Sequence, residues 1–401
     1  MGAGVVVTGV GAVTPVGRSA PATWDALLDK RSGASSISRF DPDAAGCRSR
    51  IACEATLPEE TPVDSTKVGR YAEFAVAAAS EAIDDAGFDP RDPDWDAPRV
   101  GTSVGSAIGG LPEIEATVGD RVSPRFVVTY LSNLASSQVS IQFDARGPNR
   151  AASTACAAGV HAVADAAREL RCGRADVMVA GGSEAILSPH GVRGFDAMRA
   201  LSTRNDDPEG ASRPFDADRD GFVIGEGAGV LVLETAAHAA ERGVDPIARI
   251  AGFGRSADAV HPTRPPEGAE GLRRCLERAL DDASLAPPAI DHVSAHGTST
   301  PRGDEHEATA LNRTFDECPP VTATKSLTGH TLGASGAIES VVTALAIREG
   351  TVPPTANYRT PDPVCDVPVV ADPRDAELEA AVNVAAGFGG TNGAVVLEAA
   401  R

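Results

Sequence analysis

Residues 177–182, Val-Met-Val-Ala-Gly-Gly, constrain the fold of this 401-residue chain more than any other stretch. A strand with one wet face alternates apolar and polar residues, whereas a short continuous apolar run ending in glycines reads as a central strand covered on both faces. Covering both faces takes helices, and the flanking sequence supplies them. Across residues 70–86, Phe74, Ala78, Ala82 and Ile83 recur at helical spacing and Gly87 ends the element. Residues 5–7 read as a buried strand entering a glycine turn at 8–11, 22–28 as a short helix and 41–66 as loop; residues 100–106 follow as strand and turn, and 126–143 as a helix broken by Gly147-Pro148. The second half repeats the plan, with strands at 247–253, 292–295 and 394–398 and helices at 270–283 and 335–349. Strands alternating with helices predict an α/β fold with largely parallel pairing. Two halves of similar plan suggest an internal duplication, although no residue-level repeat is visible.

Composition narrows the function. At 42% hydrophobic residues with no run of eighteen apolar positions, and with no basic-plus-apolar leader over residues 1–11, the chain reads as soluble, cytoplasmic and without a membrane partner. A formal charge of −20 argues against nucleic acid, whose phosphates require a basic footprint. Seven scattered cysteines without a Cys-x-x-Cys pair form neither a secreted disulfide framework nor a zinc site. Of 36 basic residues only Lys30, Lys67 and Lys325 are lysines. Salt adaptation and genomic base composition both account for the arginine excess, and in either case a lysine inside a glycine-rich loop stands out.

Cys156 opens the run 151–172, where an alanine-rich helix begins after Ser153-Thr154-Ala155. Unpaired N–H groups and the positive end of the helix dipole favour a thiolate there, so the thiol is expected to ionise below its free value of about 8.5. Ala157, Ala158 and Gly159 are too small to cover the sulfur. The competing reading is one more buried cysteine, since cysteine is among the most buried residue types. His296, at a strand end before Gly297-Thr298-Ser299-Thr300, and His330, after Thr324-Lys325-Ser326-Leu327-Thr328-Gly329, are each framed by Gly and Thr. His161, His190, His238, His261, His292 and His306 lack such a frame and read as core or surface residues. The loop Gly387-Phe388-Gly389-Gly390-Thr391-Asn392-Gly393 can bring a backbone N–H close to a ligand, as one donor of an oxyanion hole.

Other signatures fail. The glycine turn at 8–11 lacks the third glycine of a dinucleotide fingerprint, since position 14 is Thr14. Asp216, Asp218, Asp220 and Gly221 imitate a calcium loop, but its twelfth position is Gly227 and Glu226 falls one residue early. No phosphate loop and no His-Glu-x-x-His occur.

The four segments around Cys156, His296, His330 and Phe388, with Leu201-Ser-Thr-Arg-Asn205 and Ser212-Arg-Pro-Phe-Asp216, resemble the 3-oxoacyl-[acyl-carrier-protein] synthases, closest to the type II elongating enzymes. The resemblance runs from Val5 to Leu397. It implies the thiolase fold, two duplicated βαβαβαββ halves in a five-layer αβαβα arrangement, divided here as 1–245 with the nucleophile and 246–401 with the two histidines, in a homodimer. It implies that Cys156 is acylated, that His296 and His330 handle malonyl decarboxylation and condensation, that Lys325 orients that pair, and that Glu307 is the buried carboxylate of the same network. Phe388 resembles the gate, its N–H and that of Cys156 forming the oxyanion hole. Thr263, Thr298 and Thr300 resemble residues lining the pantetheine channel, and Ile108 one bordering the acyl pocket. No metal or redox cofactor is implied; the implied partner is acyl carrier protein, met by a cluster of arginines that includes Arg204. The sequence departs from the family at Ala385-Ala386, where Ser-Phe is frequent, which bears on the packing of the gate and on the acyl pocket. A polyketide ketosynthase and a non-catalytic chain-length partner subunit are the alternatives.

Overall fold

The structure, a computed structural model, describes residues 4–90, 95–117, 122 and 124–400. Residues 1–3 and 401, the outermost ends of the two expected halves and the start of the segment read for a leader, lie outside the described residues. Among the described residues ten strands form one sheet: β1 (Val5–Val13), β2 (Val100–Gly105), β3 (Asn149–Arg150), β4 (Val177–Glu184), β5 (Gly227–Thr235), β6 (Ala248–Ala257), β7 (His292–Ser294), β8 (Val321–Thr322), β9 (Ala380–Gly387) and β10 (Thr391–Glu398). Their order is β8-β7-β9-β10-β6-β1-β5-β4-β2-β3.

Outward from the β6–β1 seam, each half runs first strand, fifth, fourth, second, third. Pairing senses repeat as well. In both halves the second strand is parallel to the third and fourth, and the fifth is antiparallel to the fourth and first. The duplication that no residue repeat revealed is therefore written in the topology. The largely parallel sheet expected from the sequence is instead mixed, because the fourth and fifth strands of each half pair antiparallel and the seam adds an antiparallel pair of its own. Between β9 and β10 only Phe388, Gly389 and Gly390 intervene, too few for a crossover helix, and positive φ at Gly389 and Gly390 turns the chain back on itself.

Six of the helices form three layers against the sheet. α1 (Arg70–Asp85) and α2 (Leu134–Gln142) cover the outer face of the first half, packing Phe74 and Val139 against Val179 and Val230. α4 (Glu270–Ala283) and α5 (Pro301–Thr314) cover the outer face of the second, with Leu276 and Leu311 against Val293 and Val382. α3 (Ala158–Arg171) and α6 (Ser335–Glu349) lie between the halves, where Val163 and Val341 share one core with Leu231 of the first half and Val395 of the second. The burial patterns follow from these positions. α4 buries Leu272, Cys275, Leu276 and Ala279 on one face, whereas α6 is buried on every side from Ser335 to Ile347, as a helix enclosed between the two halves of the sheet must be. With each half of the sheet counted as one layer, helices, half-sheet, helices, half-sheet and helices make five layers.

Three elements differ from the sequence reading: the stretch 41–66, read as loop, holds a short strand, Ile51–Cys53, paired with Ala34–Ser36. β1 does not turn at Gly9 and Gly11 but continues to Val13, because α1 packs so closely that a Cβ at either glycine would stand 2.1 Å from a carbonyl oxygen of Ala82 or Ala78. Residues 126–143 hold two short helices, Phe126–Tyr130 and α2, separated at Leu131 by an extended backbone. Among the described residues no helix is long and apolar enough to cross a membrane.

Candidate active site

Cys156 lies in the short turn Ala155–Ala157 that leads into α3, held there by Ala155 at φ +49°, a left-handed backbone unfavourable for a residue with a Cβ. The hairpin joining β9 to β10 closes over this turn. Thr391 Oγ1 donates to the Thr154 carbonyl at 3.0 Å, and the backbone N–H groups of Phe388 and of Cys156 itself favour the thiolate. From the second half, His330 brings Nε2 to 3.2 Å from Cys156 Sγ, while its Nδ1 lies 3.0 Å from Ser335 Oγ at the start of α6. His296 sits past the end of β7 with its ring centroid 5.3 Å from that of His330, edge to face. Its backbone is held by Glu307 of α5, which accepts the N–H of His296 at 2.6 Å and of Gly297 at 2.7 Å.

Burial decides the protonation of all three groups. Both imidazoles are held well below the ordinary histidine value by desolvation, with the Lys325 charge adding to it, so both are neutral at physiological pH. Desolvation also pushes the Cys156 thiol up to about 11, outweighing Lys325 and the two backbone N–H groups that favour the thiolate. This corrects the expectation of a thiol acidified by its helix terminus. The dipole is present, but removing the sulfur from water costs more than the dipole returns, and the resting thiol is protonated with the neutral His330 Nε2 in hydrogen-bond reach as acceptor.

A cavity of about 520 Å³ runs from these groups to the surface. Of the residues named from sequence, Cys156, His296, His330, Glu307, Phe388, Thr263, Thr298 and Thr300 line it. Phe388 lies at the hairpin tip, 38% exposed, its ring 6.3 Å from that of Phe195 across the opening.

Residues 3–239 match the model of the beta-ketoacyl synthase N-terminal domain, and residues 247–359 that of the beta-ketoacyl synthase C-terminal domain. The chain belongs to the β-ketoacyl synthase family. It is 44% identical, over 98% of both chains, to 3-oxoacyl-[acyl-carrier-protein] synthase 2 of Coxiella burnetii. Among solved structures it superposes on a beta-ketoacyl synthase from Burkholderia phymatum with a TM-score of 0.91 at 35% identity, covering 100% of each chain. It also superposes, with a TM-score of 0.93 at 33% identity and the same coverage, on a type II polyketide synthase complex of an acyl-carrier protein with its ketosynthase bound to a hexaketide. The five layers are the thiolase fold, and the chain is a condensing enzyme of the acyltransferase type.

Other residues of this β-ketoacyl synthase stand apart from the cavity. Lys325 is buried and forms an ion pair with Glu339 of α6, a residue sequence reasoning missed; Glu307 serves the His296 backbone instead. Ile108, 41% exposed, lies outside the cavity lining, on a loop whose backbone N–H groups are gathered by Glu184. That fully buried carboxylate accepts from the N–H of Ala107 and of Gly333, tying the loop after β2 to the one after His330. Nothing in the sequence around Glu184 signalled this. Arg204 also lies outside the lining, donating to the Asp218 carbonyl at 2.6 Å; Arg199, Arg264 and Arg302 line the cavity instead. His261 and His306, left unassigned from sequence, line it too. His306 and Glu307 stand three and four residues after Gly303 on α5, and all three line the cavity. Asp216 spends its carboxylate on the N–H groups of Asp218, Arg359 and Thr360, and among the described residues no group of three or more His, Cys, Asp or Glu could hold a metal ion.

Proposed function

We propose that this chain is a 3-oxoacyl-[acyl-carrier-protein] synthase that extends fatty acyl chains by decarboxylative condensation of a Cys156-bound acyl group with a malonyl thioester. The observation that carries the reading is the meeting of three groups from distant parts of the chain: the Cys156 sulfur 3.2 Å from His330 Nε2, with His296 beside it.

In the first half-reaction His330 accepts the Cys156 proton at Nε2, the sulfur attacks the acyl thioester, and the N–H groups of Cys156 and Phe388 hold the oxyanion. The proton passes to the departing pantetheine thiolate. In the second, the malonyl carboxylate leaves as carbon dioxide or bicarbonate and negative charge gathers on the thioester oxygen, to which the neutral rings of His296 and His330 donate. The Ser335 hydroxyl, able both to donate and to accept, serves either tautomer of His330. The enolate carbon attacks the acyl carbonyl, held by the same two N–H groups, and the Cys156 sulfur is released. Removing one such donor costs a factor of about 100 to 1,000 in rate.

Acyl carrier protein is the partner in this reading. Support comes from the carrier-bound structural neighbour and from Arg199, Arg264 and Arg302, three cations lining the cavity of a chain whose net charge is −20. Thr263, Thr298 and Thr300 offer hydroxyls along the pantetheine path. A second copy of the chain completes the molecule as a homodimer; the exposed apolar residues Ile108, Val127, Val128, Leu131 and Ile141 favour such a contact, which would also bring Ile108 to the acyl pocket. The division into halves at residue 245 and a cytoplasmic location belong to the same reading. Against a non-catalytic partner subunit stands the intact Cys156–His330 contact.

The test is intact mass after mixing the purified chain with an acyl carrier thioester. An acyl adduct on Cys156, lost in Cys156→Ser and consumed with release of a 3-oxoacyl product when malonyl carrier is added, is the expected result. A folded wild type that forms no adduct refutes the reading.

A further inference from the structure

The two N–H groups that receive the oxyanion belong to different halves of the chain. Cys156 N–H lies on the turn Ala155–Ala157, and Phe388 N–H on the hairpin between β9 and β10. Donors of this kind act only when both stand about 2.7–3.1 Å from one oxygen, so something must set their separation.

His161, four residues into α3 and buried, bridges the two segments. Its Nδ1 lies 2.8 Å from Thr154 Oγ1, two residues before the nucleophile, and its Nε2 lies 3.1 Å from the carbonyl of Asn392, four residues after Phe388. A carbonyl only accepts, so Nε2 carries the ring proton, and Nδ1 accepts from the Thr154 hydroxyl. Burial, reinforced by the Arg255 charge and only partly offset by the bond to the Asn392 carbonyl and by Asp165, keeps the ring neutral, as one donor and one acceptor require. The ring also lies flush with the hairpin strand: a Cβ on Gly393 would stand 2.8 Å from His161 Cδ2.

We propose that His161 is a positioning residue that clamps the nucleophile turn to the Phe388 hairpin and thereby sets the spacing of the oxyanion hole. The clamp serves selected steps only. Acyl transfer to Cys156 and the condensation place charge on the acyl carbonyl oxygen between the two N–H groups, whereas malonyl decarboxylation places it on the malonyl thioester oxygen beside His296 and His330. A residue with a merely structural role has no reason to divide the reaction along that line.

This inference rests on the condensing activity proposed above, and the experiment separates the two. Wild type, His161→Ala, His161→Gln and Thr154→Val are compared for the rate of acyl-enzyme formation, for decarboxylation of malonyl carrier by unacylated enzyme, and for thermal midpoint. Losing the spacing of one donor predicts acylation slower by about 10- to 100-fold in His161→Ala, with decarboxylation within about threefold of wild type. His161→Gln, whose amide can donate to the Asn392 carbonyl, recovers most of the loss. Acylation reduced less than tenfold, or both activities falling together, overturns the inference. Should His161→Ala not fold, Thr154→Val carries the same comparison, since it removes only the hydroxyl that donates to Nδ1; acylation and decarboxylation falling in parallel there, or neither falling, overturns the inference equally. A wild type that forms no acyl-enzyme refutes the proposed function itself.

Discussion

Replacing Lys325 by methionine removes the cation that faces Glu339. Both groups are sealed from water, at 1% and 2% side-chain exposure, so solvent does not screen their attraction, and among the described residues Glu339 Oε2 has no hydrogen-bond partner. Breaking such a pair by removing one member costs about 3–5 kcal/mol, because the remaining charge is left buried and uncompensated. Glu339 escapes part of that cost by binding a proton, since burial pushes its carboxyl up to about 7 even with the lysine in place, so the loss should fall at the lower end, about 3 kcal/mol. The same substitution acts on the nucleophile. Lys325 is the strongest of the influences that favour the Cys156 thiolate, and its removal raises the thiol further, each unit of pKa meaning a tenfold smaller thiolate fraction at fixed pH. Combining Lys325→Met with Glu339→Leu separates the two effects, since exchanging a whole buried pair for apolar side chains is often neutral or stabilising. Urea unfolding and the rate of Cys156 alkylation at pH 8, followed by intact mass, are the assays. The single variant should lose about 3 kcal/mol and the double variant about 1 or less, while both alkylate several-fold more slowly than wild type. A single variant within 1 kcal/mol of wild type, a double variant as unstable as the single, or unchanged alkylation would each refute the reasoning.

Alkylation of Cys156 in the wild type should rise with pH across 7–10 without levelling, because burial holds the thiol protonated until about 11; a plateau beginning near pH 8 would mean that the helix terminus wins after all. Gly387→Ala puts a Cβ 2.6 Å from Thr391 Oγ1, 2.9 Å from the Thr154 carbonyl oxygen and 3.2 Å from the Cys156 nitrogen, so the Thr391–Thr154 bond is disturbed and the hairpin must back away from the nucleophile. Acyl transfer should then fall about 100-fold for a stability loss of about 1–3 kcal/mol, read by acylation kinetics alongside thermal unfolding. Glu307→Gln presents an N–H₂ to one of the two backbone N–H groups that the carboxylate now accepts, displacing His296; kcat for condensation should drop at least tenfold with KM for the acyl carrier little changed, and a wild-type kcat would show that Glu307 does not set His296.

Much was legible along the chain because the relevant physics is local. Apolar runs bounded by glycine marked β4, helical spacing marked α1, and the helices 270–283 and 335–349 appeared with the bounds the structure shows. Cys156, His296, His330 and Phe388 could be picked out because reactive groups set in small, glycine-rich surroundings leave a pattern in residues next to one another. Partnerships across the fold left no such trace. That Lys325 faces Glu339, that Glu184 gathers the N–H groups of two loops, and that β4 and β9 pair antiparallel with the strands that follow them are consequences of packing between segments far apart in sequence. The thiol shows the limit most plainly. A helix terminus is visible in sequence and argues for an acidic cysteine, but desolvation depends on every atom that surrounds the sulfur, and only the closing of one half of the chain over the other determines it.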